Sequence, residues 1–199
     1  MGFYAKFKWI LGILLIFVLI IMTNLIDKNN FVRVRDSVVT IYEDRLIAND
    51  LIFEKLKLVQ EKEVAVKTLD STFYENRNLK VNDNLQSLIS KFEKTKLTPK
   101  EATVFNDFKS NVKVLQNAET KFINSSYNST SKVSSAINSL KTNLNDLSKI
   151  QLNEGSRQMS ISKRAVDSVE LFTQIEIYML VFLAIIIQVV VMYNPKEKK

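Results

Sequence analysis

Two apolar runs without a single charge, one near each end of the chain, constrain its fold more than any other feature. Residues 9–26 (WILGILLIFVLIIMTNLI) form the first and residues 177–193 (IYMLVFLAIIIQVVVMY) the second. As helices they reach about 27 and 26 Å, close to the hydrocarbon thickness of a bilayer. The Leu, Ile, Phe and Val residues of the first run favour insertion by about 4–8 kcal/mol, against smaller costs at Gly12, Thr23 and Asn24. A cleaved signal peptide is the alternative for this run, with Lys6 and Lys8 as its basic flank. The run is long for a signal core, and it ends in Thr23-Asn24-Leu25-Ile26-Asp27 without a small-x-small site, so it reads as an uncleaved anchor. A buried soluble helix is the alternative for the second run, but the remainder of the chain is too polar to enclose it.

The flanks orient both spans. Lys6 and Lys8 precede the first, and Lys196, Lys198 and Lys199 outweigh Glu197 after the second. Short basic flanks stay in the cytoplasm, so residues 1–8 and 194–199 are expected there. The transmembrane segments are 9–26 and 175–193, and residues 27–174 lie outside. For a bacterial chain this means the inner membrane with a periplasmic or extracytoplasmic domain. Tyr4, Trp9 and Tyr193 would mark the inner interface and Tyr178 the outer one. The net charge of +7 does not imply nucleic acid, because the outer segment is only slightly basic and its signs are interspersed.

Composition narrows the chemistry. The 199 residues include 3 Gly, 2 Pro, no Cys and no His. Disulfides, thiolate nucleophiles and zinc ribbons are excluded, and so is imidazole as proton shuttle or metal ligand. Glycine-rich phosphate loops are excluded as well. Glu43/Asp44 and Glu61/Glu63 are carboxylate pairs, but adjacent or i, i+2 residues on a helix diverge. No enzyme, cofactor or metal site is expected. So few Gly and Pro point to long helices.

The outer segment reads as four helices. Residues 28–69 carry Val38, Tyr42, Ile52, Leu56, Val59 and Val66 at helical spacing. The pattern weakens at 70–76. A second helix over 77–95 carries Leu85, Leu88, Ile89 and Phe92. Thr98, Pro99 and Glu101 then spell a helix start: a cap, a proline for the first turn and a capping-box glutamate. The third helix runs to about Asn124, and the polar stretch 124–131 (NSSYNSTS) makes the last turn. Its two sequons are read as incidental. In the fourth helix Val133, Ile137, Leu140, Leu144, Leu147, Gln151, Glu154, Gln158, Ile161, Ala165, Ser168, Phe172 and Ile175 follow 4–3 steps into the second span. Gly155 interrupts nothing, and reads as a soft point or a close contact.

The first and fourth helices are each about 65 Å long outside the membrane, and the second and third about 30–40 Å. The expected architecture is all-α: a membrane-anchored antiparallel four-helix bundle with two transmembrane helices and an extended two-helix neck. The neck carries Val32, Val34, Val38, Val39, Ile161, Val166 and Val169, too much apolar surface for two helices alone. A second copy is the simplest cover.

Gln151, Glu154 and Gln158 stand at consecutive core positions and need partners. Glu154 lies about 32 Å from the second span and Arg45 about 28 Å from the first. The two are expected to pair, with Asp44 beside them and the glutamines completing a polar layer. That layer reads as a register-setting device, with a ligand site and a solvated open neck as the alternatives.

Three short blocks carry a resemblance: Ile41–Leu46 (IYEDRL), 97–101 (LTPKE) and 147–155 (LSKIQLNEG). They resemble the four-helix-bundle sensory domain of bacterial methyl-accepting chemotaxis receptors, over about residues 1–193. The family's aspartate–arginine pair matches Asp44 and Arg45, and its L-T-x-x-E block matches Leu97, Thr98 and Glu101. The resemblance implies a homodimer through the first and fourth helices and sensing of a small molecule or partner by the bundle. Such receptors continue into a HAMP linker and a methyl-accepting coiled coil, which residues 194–199 do not supply. Two functions are therefore expected in competition. One is a sensory module, with Arg33, Arg35, Arg45 and Arg77 as candidates for an anionic ligand. The other is an accessory or structural subunit of a larger inner-membrane complex, with Asn24 and Gln188 as intramembrane contacts. The lipid bilayer is a partner in both.

Overall fold

The computed structural model describes residues 3–128 and 130–192, with side chains described from residue 10 onward except at 187 and beyond 189. Expectations resting on Lys6, Lys8, Tyr4, Trp9 and Tyr193 and on residues 194–199 lie outside the described side chains. Every regular element among the described residues is helical. The order is α1 (Phe3–Thr40), a π-helical turn (Ile41–Leu46), α2 (Ile47–Thr68), α3 (Ser71–Asn76), α4 (Asn78–Phe92), α5 (Pro99–Asn124) and α6 (Thr130–Met192). Helix contacts divide the chain into two units, residues 1–38 with 159–199 and residues 39–158.

The first unit contains both apolar runs. In α1 and α6 the most apolar windows are long enough to cross a membrane, and almost nothing in them is covered by protein. What is buried here is small or polar: Thr23, Asn30 and Ser37 on α1, Ser162 and Ala165 on α6. Short side chains at seven-residue intervals let two helices lie close. The heptad seam expected along α6 drifts in this unit. Ile175 is 43% exposed and Glu176 is half-buried in its place. Val38 and Val166 are exposed, whereas Val32, Val34, Ile161 and Val169 are half-buried.

The second unit holds the core. It is built from Ala48, Ile52, Val59 and Val66 on α2, Val81, Leu85, Ile89 and Phe92 on α4, Phe105, Phe108, Val112, Leu115 and Phe122 on α5, and Val133, Ile137, Leu140, Leu144 and Leu147 on α6. The α6 residues are those the 4–3 steps select. Polar links fix the directions. Lys62 meets Asn78 while Lys55 meets Phe92, so α4 runs against α2. Asn111 donates to Asn143, and Gln151 to Glu101, so α6 runs against α5.

Local sequence explains where the helices break. Leu69 ends α2 in the left-handed region, φ 54°. The Asp70 carboxylate then accepts the amide of Phe73 and starts α3. Residues 70–76, read from sequence as a weakening of pattern, are thus a capped single-turn helix and not a loop. Ser126 and Tyr127 are left-handed in succession and close α5, the Tyr127 amide donating to the Phe122 carbonyl. At α5 the capping box is complete: Glu101 N–H to Thr98 Oγ1 at 3.3 Å and Thr98 N–H to Glu101 Oε2 at 2.6 Å, with Pro99 in the first turn. Gly155 meets no close contact, since a Cβ built there finds no atom within 4 Å.

Candidate functional site

The sequence reading of residues 28–69 as one α-helix misses a wide turn. Over Ile41–Leu46 the backbone is π-helical, and the Ile47 amide reaches back to the Tyr42 carbonyl. One such turn inserts an extra residue into the helical phase. Arg45 then falls in register with Ala48 and Ile52 on the buried face, while Tyr42 and Leu46 are left exposed.

Arg45 is 8% exposed and Glu101, across the core on α5, is fully buried. Arg45 Nη1 donates to Glu101 Oε1 at 2.8 Å, to Oε2 at 3.1 Å and to Gln151 Oε1 at 3.1 Å. Its Nη2 donates to the Lys96 carbonyl at 3.2 Å. Gln151 Nε2 donates back to Glu101 Oε1 at 2.5 Å, and Asp44 Oδ1 accepts the Lys96 amide at 3.3 Å. One carboxylate therefore caps α5 and neutralises Arg45.

The expected Arg45–Glu154 pair does not form. Glu154 Oε2 accepts Arg157 of its own helix, 2.7 Å away, and Arg157 is exposed. Gln151 is the seam residue level with Arg45, and Glu154 lies three residues, about 4.5 Å, farther along α6 and about 60° around it. Gln158 is half-buried and takes no part in the Arg45 cluster. Gln151, Asp44, Arg45, Thr98, Pro99 and Glu101 do converge there. Asn24 is exposed on α1 and donates to the Ile20 carbonyl of its own helix at 2.8 Å; Gln188 is exposed on α6. Of the candidate anion-binding arginines, Arg35 bonds to Asp36 and Arg77 to Glu61, both at the surface.

Sequence reasoning missed a second buried cluster. Lys62 on α2 is fully buried and donates to Glu119 Oε1 and Oε2 at 2.8 and 2.9 Å and to Asn78 Oδ1 at 2.5 Å. Burial pulls the Lys62 ammonium below its usual value and pushes the Glu119 carboxyl above its own, outweighing their mutual attraction. The neighbouring Tyr74 hydroxyl is buried, without a partner among the described residues, and raised by burial. Lys55 lies between the two clusters on the same face of α2. Positions 45, 48, 52, 55, 59, 62 and 66 follow the steps of a buried stripe, as do 101, 105, 108, 112, 115, 119 and 122 on α5. Charged residues at those steps were the available signal. Because Arg45 meets Glu101 and Lys62 meets Glu119, α2 and α5 run parallel.

Outside the core, α2 and α6 border an open groove of about 620 Å³. Asn49, Gln60, Asn138, Asn145 and Ser148 line it, with Phe53 and Leu56 beside them and the buried Ile52 and Leu144 beneath. Lys141 at its edge is tied to Glu63 at 2.7 Å.

A family model described as a four helix bundle sensory module for signal transduction matches residues 6–165. The chain belongs to this family of chemotaxis-receptor sensory modules. No curated protein and no solved structure matches it. The matched stretch of the sensory module takes in the first apolar run, every helix of the core and both buried ionic clusters. Such modules are signalling domains without catalytic activity. The Arg45–Glu101–Gln151 cluster links the turn before α2 to α5 and α6 within the matched stretch.

Proposed function

We propose that the chain is a membrane-anchored sensory module: an antiparallel four-helix bundle outside the inner membrane, with both ends of the chain in the cytoplasm and two spans that carry a signal inward. The family match over residues 6–165 carries this reading. The apolar windows of α1 and α6, bare of protein cover, support lipid as their surroundings.

The bundle works as a homodimer through α2 and α6. Leu46, Phe53 and Leu152 are 59%, 54% and 67% exposed. Leu46, just before α2, and Asn49, Phe53, Leu56 and Gln60 on it recur in 3–4 steps, and on α6 so do Asn138, Lys141, Asn145, Ser148 and Leu152. Two such stripes flanking one groove match a second copy of the same face. The groove's amides suit a small polar ligand held between the copies.

The chain has no cysteine, so single introduced thiols report cleanly. In membranes, F53C is expected to form a disulfide-linked dimer and L79C, on α4, is not. S126C in intact cells is expected to react with a membrane-impermeant maleimide. Monomeric F53C under oxidation removes the dimer, and an unreactive S126C removes the topology. Gentle extraction with a stoichiometric, larger membrane complex in place of the homodimer favours an accessory subunit.

A further inference from the structure

Lys55 is fully buried on α2, and its Nζ has no hydrogen-bond partner among the described residues. Three rings surround it. Nζ lies 3.8 Å from the centroid of Phe92, 5.3 Å from Phe105 and 5.9 Å from Phe108, all buried. Phe92 is the last residue of α4, and Phe105 sits in the second turn of α5. The cage is thus the corner between these helices, and the segment joining them carries the Lys96 carbonyl that Arg45 grips.

Among the described residues no charge facing the cage compensates an ammonium. Arg45, in the turn before α2, and Lys62 on α2 are cations already engaged by Glu101 and Glu119. Those two carboxylates are the buried charges of α5. Beyond Phe105 lies Lys109, 5.2 Å from that ring and paired outside with Glu93, which follows α4. Across from the cage α6 offers Leu140, Leu144 and Leu147, and then Gln151, which is bonded to Glu101. Ring faces favour a cation, but removal from water disfavours it more strongly. Burial pulls Lys55 down to about 7.

We propose that Lys55 is a proton-binding site that ties the packing of α2 against the α4–α5 corner to the pH outside the membrane. The neutral amine belongs to the closed corner. The ammonium needs water or an acceptor and favours the corner opened. Lys55 titrates whether or not a ligand occupies the α2/α6 groove.

The sign follows from proton counting. An unpacked lysine keeps its proton to about 10.5, and the packed one only to about 7. Between those values the opened form holds the extra proton, so the closed form gains as pH rises and loses as pH falls. Below about 7 both forms are protonated and the dependence levels off. From pH 7 to pH 9 the ratio of closed to open form is expected to rise about fifty-fold on this account.

Two measurements on the full chain in detergent test this. The first is denaturant unfolding at pH 7 and pH 9 for the wild type and K55M. The wild type is expected to gain about fifty-fold more than the variant. Equal pH dependence in the two overturns the proposal. The second, independent of any variant's folding, is NMR of lysine labelled with carbon-13 at Cε. One resonance, displaced upfield by the ring currents of the cage, is expected to titrate near pH 7. Titration of that resonance near pH 10 overturns the proposal.

Discussion

Replacing Glu101 with alanine tests the central cluster most directly. The carboxylate is fully buried and accepts four hydrogen bonds: two from Arg45, one from Gln151 and one from the Thr98 amide. In E101A the Arg45 guanidinium stays buried with only neutral oxygens, those of Gln151 and Lys96, beside it. Leaving one member of a buried ion pair without the other costs about 3–5 kcal/mol. The orphaned Thr98 amide adds about 1 kcal/mol. A total of about 4–6 kcal/mol removes a large part of the stability of a domain this size. E154A serves as contrast, because Glu154 bonds only to exposed Arg157 and its loss costs at most about 1 kcal/mol. The assay is denaturant unfolding of the detergent-solubilised chain, followed by far-ultraviolet circular dichroism. The reasoning is refuted if E101A unfolds within 1 kcal/mol of the wild type, or if E154A costs as much as E101A.

Other outcomes follow from single features. K62M leaves Glu119 buried without its cation and is expected to cost about 3–5 kcal/mol, most of it recovered in K62M/E119L; equal stability of the single and double variants argues against a buried pair. Because burial holds Glu119 above the usual carboxylate value of 4.5, the folded state retains that proton longer than the unfolded chain. Stability on this account falls as pH rises above about 4.5, and E119Q is expected to flatten that slope in an unfolding series. G155A fills open space on a helix and is expected to stabilise by about 0.5–1 kcal/mol, seen as a higher melting temperature. L69G relieves a left-handed residue at the end of α2 and is expected to gain about 1 kcal/mol in the same measurement.

Much of the core was legible because apolar spacing carries phase. Val133 through Leu147 and the start of α5 at Thr98 were read correctly from periodicity and capping chemistry. The polar cluster was read with the right arginine and the wrong acid. Helical rise puts Glu154 within one turn of the height of Arg45, but a turn is too coarse to choose among Gln151, Glu154 and Gln158 on one seam. Glu101 is legible from sequence as a cap only, because a capping box does not show what the rest of the carboxylate meets. The wide turn at Ile41–Leu46 was not legible, because IYEDRL contains no residue that a regular helix rejects. Lys55 and Lys62 are harder to read, because lysine ordinarily marks solvent and only the stripe through 48, 52, 59 and 66 shows that they point inward.

The two ionic clusters join the same pair of parallel helices at points about 25 Å apart, seventeen residues on α2 and eighteen on α5. A rail bolted at both ends has no axial play: shifting α2 along α5 by a single turn would shear both bolts together. The pair must travel as one strut, and the same bolts catch α6 at Gln151 and α4 at Asn78, so any piston or tilt of this unit either carries all four helices together or breaks a bolt.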